Sequence, residues 1–276
     1  MNAENRPAGG YVLGNQAQEL ARLDAQAALL EPATRLLLRA SGLESGMRVL
    51  DLGTGLGHVA RLVAELVGHG GSVIGLDQSE DALREARKRT THDSHVSFVH
   101  GDVTSWRDSP PFDAIVGRLL LFHVADPVAV VRHHLASLRP AGRFVAIDYD
   151  AGAIRSEPGV PLVREAVSWI IDTFAAAGAS PMIGVRLRMI LEEAGLSEVT
   201  TFGVQEYLPP RSPAGPALLA GAVRSLADAI VSHGVATRDQ IGLETLEQRM
   251  ADALVRDNAV LLPPTLAGAW GKRSST

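Results

Sequence analysis

The sequence predicts an open, mostly parallel α/β sheet with helices on both faces and a helical lid, and three observations predict it. Short apolar strands alternate with helical stretches between residues 48 and 147, the pattern of a parallel sheet whose crossovers are helices. A glycine-rich turn at 53–57 follows the first of these strands directly. After Asp150 the alternation stops and apolar helical stripes take over.

Two helices are expected first. Leu20, Leu23, Ala27 and Leu30 recur at helical spacing over 15–30, and Pro32 opens a second helix whose Leu36 to Leu38 run stops at Gly42. A strand at 48–52, the glycine turn and a helix with Val59, Leu62, Val63 and Leu66 on one face then make a strand–loop–helix unit. Further strands are expected at 72–76, 95–99, 113–116 and 142–147, with helices around 80–90 and 126–138 and right-handed connections. The stretch between 96 and 113 is too short and polar to predict a helix. Beyond Asp150, helices are expected at 162–176, 186–194 (ending at Gly195) and 217–233, the last striped by Leu219, Val223, Leu226 and Ile230. Thr237 and Gln240 form a capping box for one more helix through Leu246, Met250 and Leu254. A strand at 199–207 and another at 266–270, antiparallel to each other, bring the sheet to seven strands. This divides the chain into N-terminal helices (1–45), a core (46–150), and lid insertions carrying the last two strands (151–276).

The 276 residues are 46% hydrophobic and 21% charged, a composition of folded rather than disordered chains. A net charge of -5 provides no basic field for nucleic acid or an anionic membrane surface, so neither is an expected partner. With Cys 0, thiolate metal sites and cysteine nucleophiles are excluded. No uninterrupted apolar run approaches the roughly 18 residues of a membrane span, and residues 1–10 lack the marks of a leader, so a cytoplasmic location is expected.

The strongest chemical signal is the run Val49-Leu50-Asp51-Leu52-Gly53-Thr54-Gly55-Leu56-Gly57, with Asp77 at the end of the second strand. Ligands of open parallel sheets lie beyond the carboxyl ends of the strands. Glycines there let the backbone approach the ligand, while a carboxylate after strand two accepts from ribose hydroxyls. The spacing is G-x-G-x-G, not the dinucleotide G-x-G-x-x-G. Asp51, just before the first glycine, is poorly suited to a pyrophosphate and well suited to an ammonium or another cationic ligand.

The runs VLDLGTGLG, VIGLDQS, HGDV and LRPAGRF resemble, in order and spacing, the class I S-adenosylmethionine-dependent methyltransferases, a Rossmann-like family. The opening YVLGNQAQELARL is similar to a small-molecule branch related to the quinone-methylating enzymes. The resemblance covers roughly residues 48–150 and implies S-adenosylmethionine as cofactor and S-adenosylhomocysteine as product. It implies that Gly53, Thr54 and Gly55 pass close to the methionine part and that Asp51 orders its amino group directly or through water. Asp77 would hold the ribose, Gly101, Asp102 and Val103 would meet the adenine, and Gln78 would lie against its face. Arg118 would contribute chiefly its backbone carbonyl, and Tyr11 and Gln26 would close over the methionine end.

Methyl transfer from a sulfonium is an in-line displacement, so a base is needed only where the nucleophile must lose a proton. His123, Tyr149 and Tyr11 are the candidates facing an acceptor. Asp148 and Asp150 are potential metal ligands, but Arg118 stands where metal-dependent members of the family carry a carboxylate, so no metal is expected. Gly117-Arg118-Leu119-Leu120 also replaces the aromatic–proline tetrad of many DNA and protein amine methyltransferases, which implies a small acceptor instead. Trp169, Phe174 and Met250 are candidates for lining an apolar pocket or a dimer face, and the expected state is monomer or homodimer. The expected activity is methylation at O, N or C of a small, largely apolar, aromatic or heteroaromatic specialised metabolite. Two alternatives stay open: an NAD-dependent oxidoreductase, and a non-methylating cofactor-binding protein. The short-chain dehydrogenase form of the first fails, because Arg84 and Gly268 stand where Tyr-x-x-x-Lys would need tyrosine before Lys88 and Lys272.

Overall fold

The computed structural model describes residues 16–90, 94–108 and 110–274. The elements run α1 (Gln16–Ala40), β1 (Arg48–Leu52), α2 (His58–Val67), β2 (Ser72–Asp77), α3 (Glu80–Arg89), β3 (Val96–His100), β4 (Phe112–Arg118), α4 (Pro127–Leu135) and β5 (Leu138–Asp150). They continue with β6 (Arg155–Glu157), α5 (Pro161–Ala176), α6 (Leu187–Ala194), β7 (Leu196–Val204), α7 (Ala214–Ser232), α8 (Arg238–Ile241), α9 (Leu246–Arg256), β8 (Val260–Leu262) and β9 (Thr265–Arg273).

The seven-stranded sheet has the order β3-β2-β1-β4-β5-β9-β7. Strands β1 to β5 are parallel, and β9 runs antiparallel to both β5 and β7, as the sequence predicts for the last two strands. Strand order reverses beside β1, whose neighbours are β2 and β4, so the crevice for a ligand opens at the carboxyl ends of these three strands. Because side chains alternate along a strand, the central strands feed two cores. Val49, Ala114, Val116, Val145 and Ile147 pack under α1 and α2, while Leu50, Ile115, Phe144 and Ala146 pack under α4 and α6. A third core joins α5, α7 and α9 to the two-stranded β6–β8 sheet, which the sequence reading did not predict.

Two expectations are corrected. The two N-terminal helices are one, α1, with Pro32 inside it. A proline in a helix interior removes one hydrogen bond. Here Leu30 before it and Ala33, Leu37 and Leu38 after it are all buried in the same core, which carries the helix across the break. The helix expected beyond Thr237 is two. The capping box forms, Thr237 Oγ1 accepting from Gln240 N (3.2 Å) and Gln240 Oε1 accepting from Thr237 N (2.8 Å). Gly242 then turns left-handed (φ 54°) and ends α8, so Leu246, Met250 and Leu254 belong to α9.

Among the described residues, α7 is the one helix long and apolar enough to cross a membrane. Its stripe of Leu219, Ala220, Val223 and Ile230 is buried in the third core, against α5 and α9. Trp169 and Met250 are buried in that core too, packed among its apolar side chains.

Candidate active site

β1 delivers Asp51 to the crevice at 1% exposure. Thr54 Oγ1 donates to its Oδ2 at 2.6 Å. Burial pushes the Asp51 carboxyl up to about 7, against the Thr54 hydrogen bond and the positive charge of Arg118, while the negative charge of Asp77 reinforces the rise. Gly53 follows at φ 65° and Gly55 at φ 52°, conformations that favour glycine. They serve different ends. A Cβ on Gly53 would lie 2.9 Å from Leu120 Cδ1, so this glycine admits the turn after β4. A Cβ on Gly55 would have nothing within 4 Å, leaving the loop backbone open on that side.

Asp77 closes the loop from β2. Its Oδ2 accepts from Gly55 N at 2.8 Å and its Oδ1 from Ser79 N at 2.9 Å, while Ser79 itself caps α3. Each carboxylate oxygen keeps further acceptor capacity. Gln78 is exposed, and its carbonyl meets His100 Nε2 at 3.1 Å. Gly101 N donates to Asp77 O at 3.0 Å, which places 101–103 beside the end of β2. Asp102 is exposed, and its Oδ1 accepts from Thr104 N (2.7 Å) and Thr104 Oγ1 (2.8 Å), so one oxygen serves its own turn. Those hydrogen bonds hold the Asp102 carboxyl below the usual range. Val103 is anchored through its carbonyl to buried His134 Nε2 at 2.7 Å.

Arg118 departs from expectation. Besides its backbone it sends its side chain under α1, where Nη1 donates to Thr34 Oγ1 at 3.1 Å and the guanidinium feels Asp51, Tyr149 and Glu31. There it joins a polar cavity of about 210 Å³ walled also by Asp24, Glu31, His58, Arg61 and Arg89. Asp24 ties α1 to its neighbours, to Arg89 by two bonds (2.5 and 3.1 Å) and to His58 Nε2 at 3.0 Å.

The acceptor-side candidates come together in part. Gln26 Nε2 lies 3.5 Å from Tyr149 OH, pairing an α1 residue with the end of β5. His123 ends a one-turn 3₁₀ helix after β4 and stacks on Phe122, centroids 3.6 Å apart, and burial lowers its pKa. Phe122 in turn meets Phe174 of α5 edge-on at 6.0 Å, which connects this turn to the third core. Tyr11 lies outside the described residues. No group of three metal-binding side chains occurs among the described residues. Asp148, considered in the sequence as a metal ligand, instead turns its carboxyl to the turn after β4, where Oδ2 accepts from Leu121 N at 3.1 Å. The signal for that was present: an acid on the Phe144–Ala146 face of a buried strand.

The family described as Methyltransferase domain matches residues 43–176. Demethylmenaquinone methyltransferase of Clavibacter sepedonicus is 36% identical over 121 residues, covering 44% of this chain and 46% of that protein. An uncharacterized 37.1 kDa protein in transposon TN4556 of Streptomyces fradiae is 28% identical over 214 residues, covering 70% of this chain and 61% of that protein. The chain thus spans between 46% and 61% of the length of these two relatives. Among solved structures, phosphoethanolamine N-methyltransferase 2 of Haemonchus contortus, in complex with phosphomonomethylethanolamine and S-adenosylhomocysteine, superposes with TM-score 0.55 and 17% identity over 88% of this chain and 52% of that one. The YcgJ protein of Bacillus subtilis superposes with TM-score 0.55 and 18% identity over 89% of this chain and 100% of that one. At these identities the likeness is one of fold.

Proposed function

We propose that the protein, whose residues 43–176 match the family described as Methyltransferase domain, is a class I S-adenosylmethionine-dependent methyltransferase related to the quinone methylases and transfers a methyl group from S-adenosylmethionine to an O, N or C nucleophile of a small, largely apolar metabolite. One observation carries the reading. Two carboxylates flank the glycine loop, Asp51 buried at its entry and Asp77 bonded to its Gly55 N–H. That pair repels a pyrophosphate and suits a ligand with a cationic end and a ribose diol.

The residues fit such a ligand. The open side of Gly55 admits close approach to the backbone, and Asp51 is a buried acid whose ionisation a neighbouring cation would favour. S-adenosylmethionine, when bound, supplies an activated methyl group on a sulfonium. Asp51 and Arg118 would orient the amino and carboxylate groups of its methionine end, and Asp77 would accept from both ribose hydroxyls. The 101–103 segment would meet the adenine, with Gln78 beside its face. Gln26 would cover the methionine part.

The acceptor side is apolar. A narrow slot of about 20 Å³ lies among Leu29, Leu30, Ala33, Leu218, Pro263 and Leu266, with Tyr149 and Glu206 as its polar members. It has room for about one water, so an acceptor enters as the 151–276 helices move away from α1, which gives them the part of a lid that excludes water from the reacting atoms. Tyr149 and His123 would then place or deprotonate the nucleophile. We extend the proposal to a specialised metabolite as acceptor and to a monomer or homodimer in solution.

The experiment is mass spectrometry of the protein under native conditions with S-adenosylmethionine, S-adenosylhomocysteine and NAD in competition. Retention of the two sulfur nucleotides without NAD is the expected result. Retention of NAD alone would overturn the reading in favour of the oxidoreductase alternative. Stoichiometric S-adenosylhomocysteine formed with an acceptor would separate an enzyme from a binder.

A further inference from the structure

The feature that the proposed chemistry leaves unused is Asp148, a carboxyl at 0% exposure in the interior of β5. Strand alternation places it with Phe144 and Ala146, on a face otherwise built from apolar side chains. An acid there needs a reason, because burying a carboxyl without full hydrogen bonding is costly. Its Oδ2 accepts from Leu121 N at 3.1 Å, and the neighbouring N–H groups of Leu120 and Phe122 act on the same carboxyl to favour its ionised form. Its Oδ1 is buried and has no hydrogen-bond partner among the described residues.

The turn that this carboxyl holds is unusual. Leu119 sits at φ 52°, left-handed without being glycine, and its N–H donates to Ile147 O at 2.7 Å. Such backbone persists only when the surroundings determine it. The N–H of Leu121 points at the carboxyl, and those of Leu120 and Phe122 beside it favour its ionised form. Leu120 is thereby presented to the glycine loop, its Cδ1 2.9 Å from where a Gly53 Cβ would stand and its Cδ2 3.2 Å from where a Gly117 Cβ would stand.

We infer that Asp148 is a positioning residue of the methyl-transfer site: by accepting from the Leu121 N–H, with those of Leu120 and Phe122 beside it, it fixes the turn after β4, and through Leu120 it sets the path of the Gly53 backbone against the bound cofactor. The inference rests on the functional reading above. Burial pushes the Asp148 carboxyl up to about 8, so at neutral pH it can act as a largely uncharged acceptor. This suits a group lodged in an apolar core. The same turn carries Arg118 at its start and His123 at its end, so both would move with it.

The test compares the full-length protein with Asp148→Asn, Asp148→Leu and Leu120→Ala. The readouts are amide hydrogen exchange of a peptide spanning 118–124, calorimetric affinity for S-adenosylhomocysteine, and thermal midpoint. Asparagine keeps an oxygen acceptor and should keep both the exchange protection and the affinity. Leucine accepts nothing and should release the 120–122 amides and weaken S-adenosylhomocysteine by about tenfold, the scale of one lost hydrogen bond. A purely structural role would lower the midpoint without singling out this peptide. Leu120→Ala leaves the carboxyl and its N–H partners in place and should still weaken the nucleotide, which keeps the idea decidable if Asp148→Leu does not fold. Unchanged exchange and affinity in a folded Asp148→Leu, unchanged affinity in Leu120→Ala, or equal losses in Asp148→Asn and Asp148→Leu would each overturn the inference alone. Failure of the unsubstituted protein to bind S-adenosylhomocysteine would overturn the functional reading, and this inference with it.

Discussion

Replacing Asp51 by asparagine should separate cofactor affinity from pH. Burial raises this carboxyl from 3.8 to about 7. A ligand whose ammonium requires the ionised form meets about a tenth of the protein in that form at pH 6 and about nine tenths at pH 8. Affinity for S-adenosylhomocysteine should therefore rise about tenfold across that interval, with about half a proton released per nucleotide bound at pH 7. The stability of the protein alone should move the other way. A folded pKa above the unfolded one contributes stability that is complete below 3.8 and is lost as pH rises through 7. A rise of about three pH units at about 1.4 kcal/mol each makes that loss on the order of 4 kcal/mol. Asp51→Asn should accordingly bind nucleotide weakly and without pH dependence, yet unfold at higher denaturant than the parent at pH 8. Calorimetry at pH 6, 7 and 8 in two buffers of different ionisation enthalpy measures affinity and proton release together. An affinity for the parent protein that is flat over this range, or an asparagine variant that binds as well as the parent, would refute the reasoning.

Three further outcomes are expected. Asp77→Ala removes the proposed acceptor for the ribose and also frees the Gly55 N–H, so S-adenosylhomocysteine affinity should fall by on the order of 2 kcal/mol or more; calorimetry showing no change would remove Asp77 from the site. Asp24→Ala cuts the ties of α1 to Arg89 and His58, and because this pair is partly exposed its loss should cost no more than about 1 kcal/mol. Amide exchange in 20–31 should nevertheless accelerate, and unaltered exchange would mean that packing alone holds α1 in place. His123→Ala and Tyr149→Phe should leave nucleotide binding nearly intact and lower turnover once an acceptor is found; a loss of nucleotide binding would move them from the acceptor to the cofactor.

Much of this was legible in the residues. The β1–loop–α2 unit could be read because an apolar strand, three glycines and an amphipathic helix each obey a local rule. The joint placement of Asp51, Gly55 and Asp77 followed from the rule for open sheets. Other features depended on contacts that sequence does not display. Pro32 resembles a helix start, and only the burial of Leu30, Ala33, Leu37 and Leu38 in one core shows why α1 continues through it. Gly242 lay unremarked between two apolar segments, and its left-handed φ separates α8 from α9. The resemblance implies chiefly a backbone role for Arg118; its side chain finds Thr34, which is 84 residues away in sequence. Asp148 stood among possible metal ligands though no metal was expected, and only the Leu121 N–H of the next turn reveals its partner.

The position of β9 bears on how the molecule is made. Strand β5 pairs along one edge with a segment roughly 120 residues further on. The same segment supplies the inner partner of β7. As the chain emerges from the ribosome, the parallel half of the sheet can assemble early, but β5 keeps an open edge until the last strand arrives. Every helix of the third core lies between them in sequence. The third core is therefore synthesised before the sheet can close, and completion of the sheet must wait for a long-range pairing of the kind that slows folding and leaves a strand edge available to other chains.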